Sequence, residues 1–88
     1  MSNVPKGSEP APGAFARAVS EEMRLALTRH RMSGAQLAAR IGRSQSYMSK
    51  RLRGESSFTA NDVAKACEVL GEDLLHLLTN AVRSTRRN

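Results

Sequence analysis

The chain is marked at short intervals by residues that start and stop helices. Ser33, Ser44, Thr59 and Asp73 each stand where a side-chain oxygen can accept a hydrogen bond from the turn that follows. Gly42, Gly54 and Gly71 each stand where a helix can end on a left-handed residue. Between these marks there is room for only two or three helical turns, roughly. Such spacing excludes a long rod. The apolar residues recur at three and four and do not alternate, so the expectation is five short helices and no strand.

The first helical segment covers residues 14–31, with Phe15, Val19, Met23, Ala26 and Leu27 on one face. Its start is open: near Ala14, or at a cap formed by Ser20 with Glu21 and Glu22 in the first turn. In the second, Ser33 and Gln36 fit a capping box, and Met32 with Leu37 fit a hydrophobic staple. Leu37, Ala38 and Ile41 face inward. Ser44 opens a third helix with Met48 and Leu52 inward. Thr59 caps a fourth, with Asp62 at its third position, Phe58 and Val63 as staple, and Val63, Ala66, Cys67 and Leu70 inward. Asp73 caps the last, whose inward stripe is Leu74, Leu77, Leu78 and Ala81. Residues 1–13 hold all three prolines and no periodic pattern, which reads as a flexible arm. Residues 83–88 read as a basic tail. No internal repeat or low-complexity segment is present.

With 88 residues the chain makes one domain, here residues 14–82, built around a single small core. Only 3% of its residues are aromatic, namely Phe15, Tyr47 and Phe58, so that core is aliphatic. Its single cysteine, Cys67, excludes an internal disulfide and a thiolate zinc cluster. Cys67 lies on a core face and reads as a buried thiol. A lone cysteine, no apolar run of membrane length and no apolar segment after Lys6 together lead us to expect a cytoplasmic, nucleoid-associated protein without a membrane partner. His30 and His76 fall on different helices with no clustered ligands, so no metal and no cofactor are expected. No Gly-rich phosphate loop, paired carboxylates or nucleophile triad can be assembled, so no enzyme and no small-molecule substrate are expected.

The charge distribution points to a partner. The net charge is +6, and it is uneven: residues 14–54 carry +7, residues 55–79 carry −4, and the last nine add three arginines. A basic excess gathered in one stretch suits a polyanion, nucleic acid first. That stretch contains the two short helices of residues 33–54, separated by Gly42 and Arg43. So short a turn suits a steep crossing, a helix-turn-helix, whose second helix reads the major groove. At about 100° per residue, Met48 and Leu52 share one face, with Arg51 beside them. Gln45, Ser46, Ser49, Lys50 and Arg53 share the other. That outer face offers amide, hydroxyl and cationic groups and no carboxylate, the chemistry that base edges and phosphates accept.

The run from Ser33 through Leu37-Ala38, Gly42, Ser44 and Met48 to Gly54 resembles the helix-turn-helix of phage-repressor-like, Xre-type transcription regulators. The likeness continues through Val63, Leu70-Gly71 and Leu74 and so covers about residues 20–80. It implies an all-α, five-helix lambda-repressor-like domain, operator binding and dimerisation. It also implies base reading by Gln45, Ser46 and Lys50, and phosphate contacts by Ser44 and Arg53. Ser49 joins the base-reading set as a neighbour on the same face, and Tyr47, Arg43 and Gln36 join the phosphate set. Three positions depart from the family pattern. Gly34 replaces a phosphate-binding Gln, Arg43 replaces an aliphatic turn residue, and Arg51 replaces a core Ile. The last helix is more apolar than one face needs: Leu75, Leu78 and Val82 form an adjacent strip, read as a dimer interface. The expected function is therefore a dimeric, sequence-specific repressor on a near-palindromic duplex. The alternatives are a protein-interaction subunit such as an antitoxin or anti-repressor, and non-specific DNA packaging.

Overall fold

The computed structural model describes residues 10–86, and within them five helices follow one another with no strand. They are α1 (Ala14–Arg29), α2 (Gly34–Ile41), α3 (Gln45–Leu52), α4 (Ala60–Leu70) and α5 (Leu74–Thr85). Most of the arm expected over residues 1–13 and the end of the tail lie outside the described residues.

The caps form as the residue pattern requires. Ser33 accepts from the Gln36 backbone N–H while the Gln36 side chain accepts from the Ser33 N–H, a complete capping box. Ser44, Thr59 and Asp73 cap the next three helices in the same way, each accepting from the residue three positions on. Gly42, at φ 76°, lets the chain leave α2 in a left-handed turn that would strain any side chain. Gly71 does the same after α4.

Helix α1 takes the earlier of its two starts. Gly13 precedes it without a side-chain cap. Ser20 caps nothing: it lies in mid-helix, 1% exposed, and its hydroxyl donates to the Arg51 carbonyl at 2.7 Å. The helix stops at Arg29, two residues before the sequence pattern fades, because His30 and Arg31 turn the chain and Arg31 adopts φ 52°. The start of that turn is tied down: Arg29 and His30 bond the Glu72 carboxylate at 2.8 and 2.6 Å. These bonds, Arg29 foremost, hold Glu72 below its ordinary pKa.

Helices α1 and α5 pack antiparallel, with Ser84 and Thr85 beside Ala14, Arg17 and Ala18, and with Glu72 at the far end of α1. Helices α2 and α3 cross against one another, α2 also against α4 and α3 against α1. The core at their centre is aliphatic and sulfur-rich: Met23, Leu37, Met48 and Leu77 are fully buried, with Ala26, Ala66 and Ala81 letting the helices approach. Cys67 belongs to this core, and burial pushes its thiol pKa up. Two details differ from the sequence pattern. Leu74, assigned to the inward stripe, is 38% exposed at the first position of α5. Helix α5 also runs on to Thr85, beyond the Val82 boundary.

Leu37 touches the interior from the middle of the fold, so Leu37→Ala should lower the unfolding free energy by about 2–5 kcal/mol. That corresponds to a loss of about 10 °C or more in Tm for a domain of this size. Leu25→Ala, at a half-exposed position on α1, should change it by no more than about 0.5 kcal/mol. Thermal unfolding followed by circular dichroism checks both.

Candidate nucleic-acid interface

Helix α3 has eight residues and presents three kinds of surface. Met48, fully buried, and the half-buried Leu52 hold it against the core. Gln45, Ser46 and Lys50 are exposed, and Ser49 is half-buried beside them. Ser46 and Lys50 look away from the core at about 100° per residue, while Gln45 and Ser49 look toward the start of α2. The four side chains assigned to base reading thus lie on one continuous outer surface. Lys50 forms no ion pair among the described residues, so its ammonium is available to a partner.

Beside Gln45 and Ser49 lies a notch of about 360 Å³, lined also by Ser33, Gly34, Ala35, Leu52, Arg53 and Arg24. Gly34 explains its own presence here. A Cβ at that position would come within 2.8 Å of the Leu52 Cδ1. The missing side chain therefore lets α2 cross close over the end of α3. The notch brings two guanidinium groups together with backbone from the first turn of α2, which lacks acidic residues. Such a surface suits a phosphate group. Arg24 was not legible as part of this set. It sits on α1, where it bonds Glu21 and the Leu52 carbonyl, and no local pattern marks it. Arg53 is exposed and shared: Glu55 accepts from its Nε at 2.8 Å, and Ser49 accepts from its Nη1 at 2.5 Å.

The opposite flank of α3 is organised by one carboxylate. Asp62 is 2% exposed at the start of α4. The Tyr47 hydroxyl donates to its Oδ2 at 2.5 Å, and Arg43 Nε donates to its Oδ1 at 3.0 Å. Asp62 does not complete a reciprocal capping box at Thr59. Its backbone N–H bonds the Thr59 hydroxyl, and its carboxylate, itself buried, accepts from Tyr47 and Arg43. The Tyr47 ring lies under two guanidinium groups, Arg51 at 3.5 Å and Arg43 at 4.4 Å from its centroid. Arg51 is buried in this stack and also donates to the Tyr47 carbonyl at 3.4 Å, which is how a cation occupies a position next to the core. Burial pushes the Asp62 carboxyl up, but hydrogen bonds from Tyr47, Arg43 and Thr59 outweigh burial and hold its pKa below the usual carboxylate value. Burial and the Asp62 carboxylate raise the Tyr47 phenol in turn.

Of the residues assigned to phosphate, Arg43, Ser44 and Gln36 are exposed and Tyr47 is half-buried. Ser44 and Gln36 are each engaged in a helix cap through one oxygen, which leaves the Ser44 O–H and the Gln36 amide group to donate. Arg43 gives its Nε to Asp62, and its side chain remains 38% exposed. On α5, Leu75 is 74% exposed, and Leu78 and Val82 are half-buried beside it. No helix among the described residues is long and apolar enough to cross a membrane.

A family model described as a helix-turn-helix domain matches residues 14–78. No curated protein sequence matches the chain. Two solved structures of the clp gene regulator ClgR from Corynebacterium glutamicum share its fold. One superposes with a TM-score of 0.75 at 24% identity, over 85% of this chain and 79% of that one. The other gives 0.77 at 21% identity, over 88% of this chain and 100% of that one.

Because Asp62 is held below its unfolded-state value, the bonds to Tyr47 and Arg43 stabilise the fold fully at neutral pH. That contribution fades as pH falls below about 4, near the pKa of an unfolded aspartate, and is gone below the folded-state pKa. Urea unfolding from about pH 7 to pH 3 should show a shallower acid loss for Asp62→Asn than for the wild type. Parallel curves would remove Asp62 from the acid response.

Proposed function

This chain belongs to the helix-turn-helix domain family, and we propose that it is a DNA-binding transcriptional regulator, a repressor that binds a near-palindromic duplex as a homodimer. The observation that carries this reading is the outer surface of α3. It offers an amide, two hydroxyls and a free ammonium, with no carboxylate on that helix and cations on both flanks. Lys50 has the chemistry for guanine O6 and N7, Gln45 for adenine N6 and N7, and Ser46 and Ser49 for either base. With α3 in the major groove, Arg43, Ser44, Tyr47, Arg53 and Gln36 are the candidates for the phosphate backbones, and Arg24 joins Arg53 in the notch. Their neutralisation of phosphates supplies most of the affinity and makes it fall with salt.

The dimer reading rests on α5. Leu75, Leu78 and Val82 form an apolar strip on the helix that packs beside α1, away from α3. Two copies joined there would offer two α3 helices to successive major grooves, about 34–36 Å apart. The cellular setting that follows is the cytoplasm, at the nucleoid. Repression follows from occupancy of a promoter. The same strip supports a second reading, a protein-interaction subunit such as an antitoxin, in which α5 takes a different partner.

Selection from a random duplex pool at about 150 mM salt should enrich a palindrome, since non-specific binding is weak there. A folded protein that enriches nothing would transfer the function to a protein partner. On the selected duplex, Lys50→Ala and Gln45→Ala should each weaken binding by about 1–3 kcal/mol while leaving binding to random DNA nearly unchanged. Arg53→Ala should weaken both and lower the salt slope by about one. Leu75→Asp should give a monomer in sedimentation and narrow the gap in affinity between the full palindrome and one half-site.

A further inference from the structure

Helix α3 is held at its two ends by different means. Its C-terminal end is tied to α1, where Ser20 donates to the Arg51 carbonyl and Arg24 to the Leu52 carbonyl. Its first turn has no such bond to α1. Backbone packing between α3 and α4 is slight, and what joins them is Asp62, accepting from Tyr47 on α3 and from Arg43 in the preceding turn. A carboxylate buried to this degree is costly unless donors satisfy it. Val63 and Ala66, on the same helix, already supply the apolar packing of α4. The carboxylate therefore does something that packing alone does not. It links the first turn of α3 and the turn before it to α4, and it sets one negative charge against the pair of guanidinium groups stacked on Tyr47.

We propose that Asp62 is a positioning residue for base recognition, orienting the first turn of α3 and holding back part of the Arg43 charge from the DNA backbone. The inference rests on the reading of α3 as the groove reader and adds a residue that never touches DNA. A rotation of α3 by as little as about 10–20° takes side chains off productive geometry, and Ser46 and Lys50 lie farthest from the core. The Arg43 Nη groups remain exposed toward a phosphate, but the nearby carboxylate lowers the field they offer. Sequence-independent attraction is thereby kept from outrunning base reading.

The test compares wild type, Asp62→Asn, Tyr47→Phe and Asp62→Asn with Arg43→Gln, all in the full chain. Each is measured on the duplex selected by the wild type and on a random duplex of equal length, across a salt series. Asp62→Asn keeps the shape of the side chain and loses the charge. Its specificity ratio should fall about tenfold or more, and its salt slope on random DNA should steepen by a fraction of the roughly 0.9 that one whole cation contributes, as the held-back part of the Arg43 charge is released to phosphates. Tyr47→Phe removes the tether and keeps every charge, so its ratio should fall with the slope unchanged. Adding Arg43→Gln to Asp62→Asn should abolish that steepening and bring the slope to the wild-type value or below it, without restoring the ratio. A purely structural role would shift Tm and leave the slope alone. If Asp62→Asn does not fold, Tyr47→Phe decides the matter. Folded variants that keep the wild-type ratio within twofold overturn this inference alone. A wild type that selects no duplex overturns the reading of α3 as well.

Discussion

Helices of two turns do not hold themselves together in water, because nucleation costs more than a few backbone bonds return. Both α2 and α3 are eight residues long, so everything about the reading surface depends on burial of their inner faces. Leu37, Met48 and Met23 meet where α1, α2 and α3 converge, and all three are fully buried. The caps at Ser33 and Ser44 and the turn at Gly42 determine where each helix begins and ends. The aliphatic core determines that they exist. Because the core has no tryptophan and little aromatic area, close helix approach through Ala26, Ala66, Ala81 and Gly34 takes the place of large rings.

Around that core the charges are sorted. The acidic excess of residues 55–79 is not an inert counterweight to the basic stretch before it. Asp62 reaches back to Arg43 and Tyr47, Glu55 to Arg53, and Glu72 to Arg29 and His30. Each pair connects a cation of the first three helices or their turns to a carboxylate later in the chain. Only the Asp62 pair has a buried partner, so it alone gains from a weakened dielectric, whereas the Arg53–Glu55 pair is screened by water and readily exchanged for a phosphate. The interface is thus graded, from the free ammonium of Lys50, through the loosely held Arg53, to the tightly held Arg43.

The parts of the fold legible in the sequence were those governed by neighbours three and four residues apart. Capping at Ser33, Ser44, Thr59 and Asp73, the glycine turns and the inward faces of α2 to α4 all belong to this kind. What was not legible involved partners far along the chain. Ser20 has the composition of a cap with acids behind it, yet it is buried because Arg51, thirty-one residues on, offers a carbonyl. Asp62 has the spacing of a capping box, yet its carboxylate serves Tyr47. Leu74 fits a core stripe by period yet is exposed at the first position of α5. The outer face of α3 could be read from the period of its residues, but Arg24 could reach the neighbouring notch only through the crossing of α1.

Five short helices, their boundaries to within a few residues, the faces they turn inward and the polar residues α3 shows to solvent could all be read from the order of the residues. These follow from local hydrogen bonding and a 3.6-residue period, which act within one or two turns. Which cations remain free, which carboxylates hold the others, and how the first turn of α3 is linked to α4 emerged only from the packing of the helices. Those depend on distances between residues remote in the chain, and electrostatic energy depends on separation and burial rather than on order in the sequence.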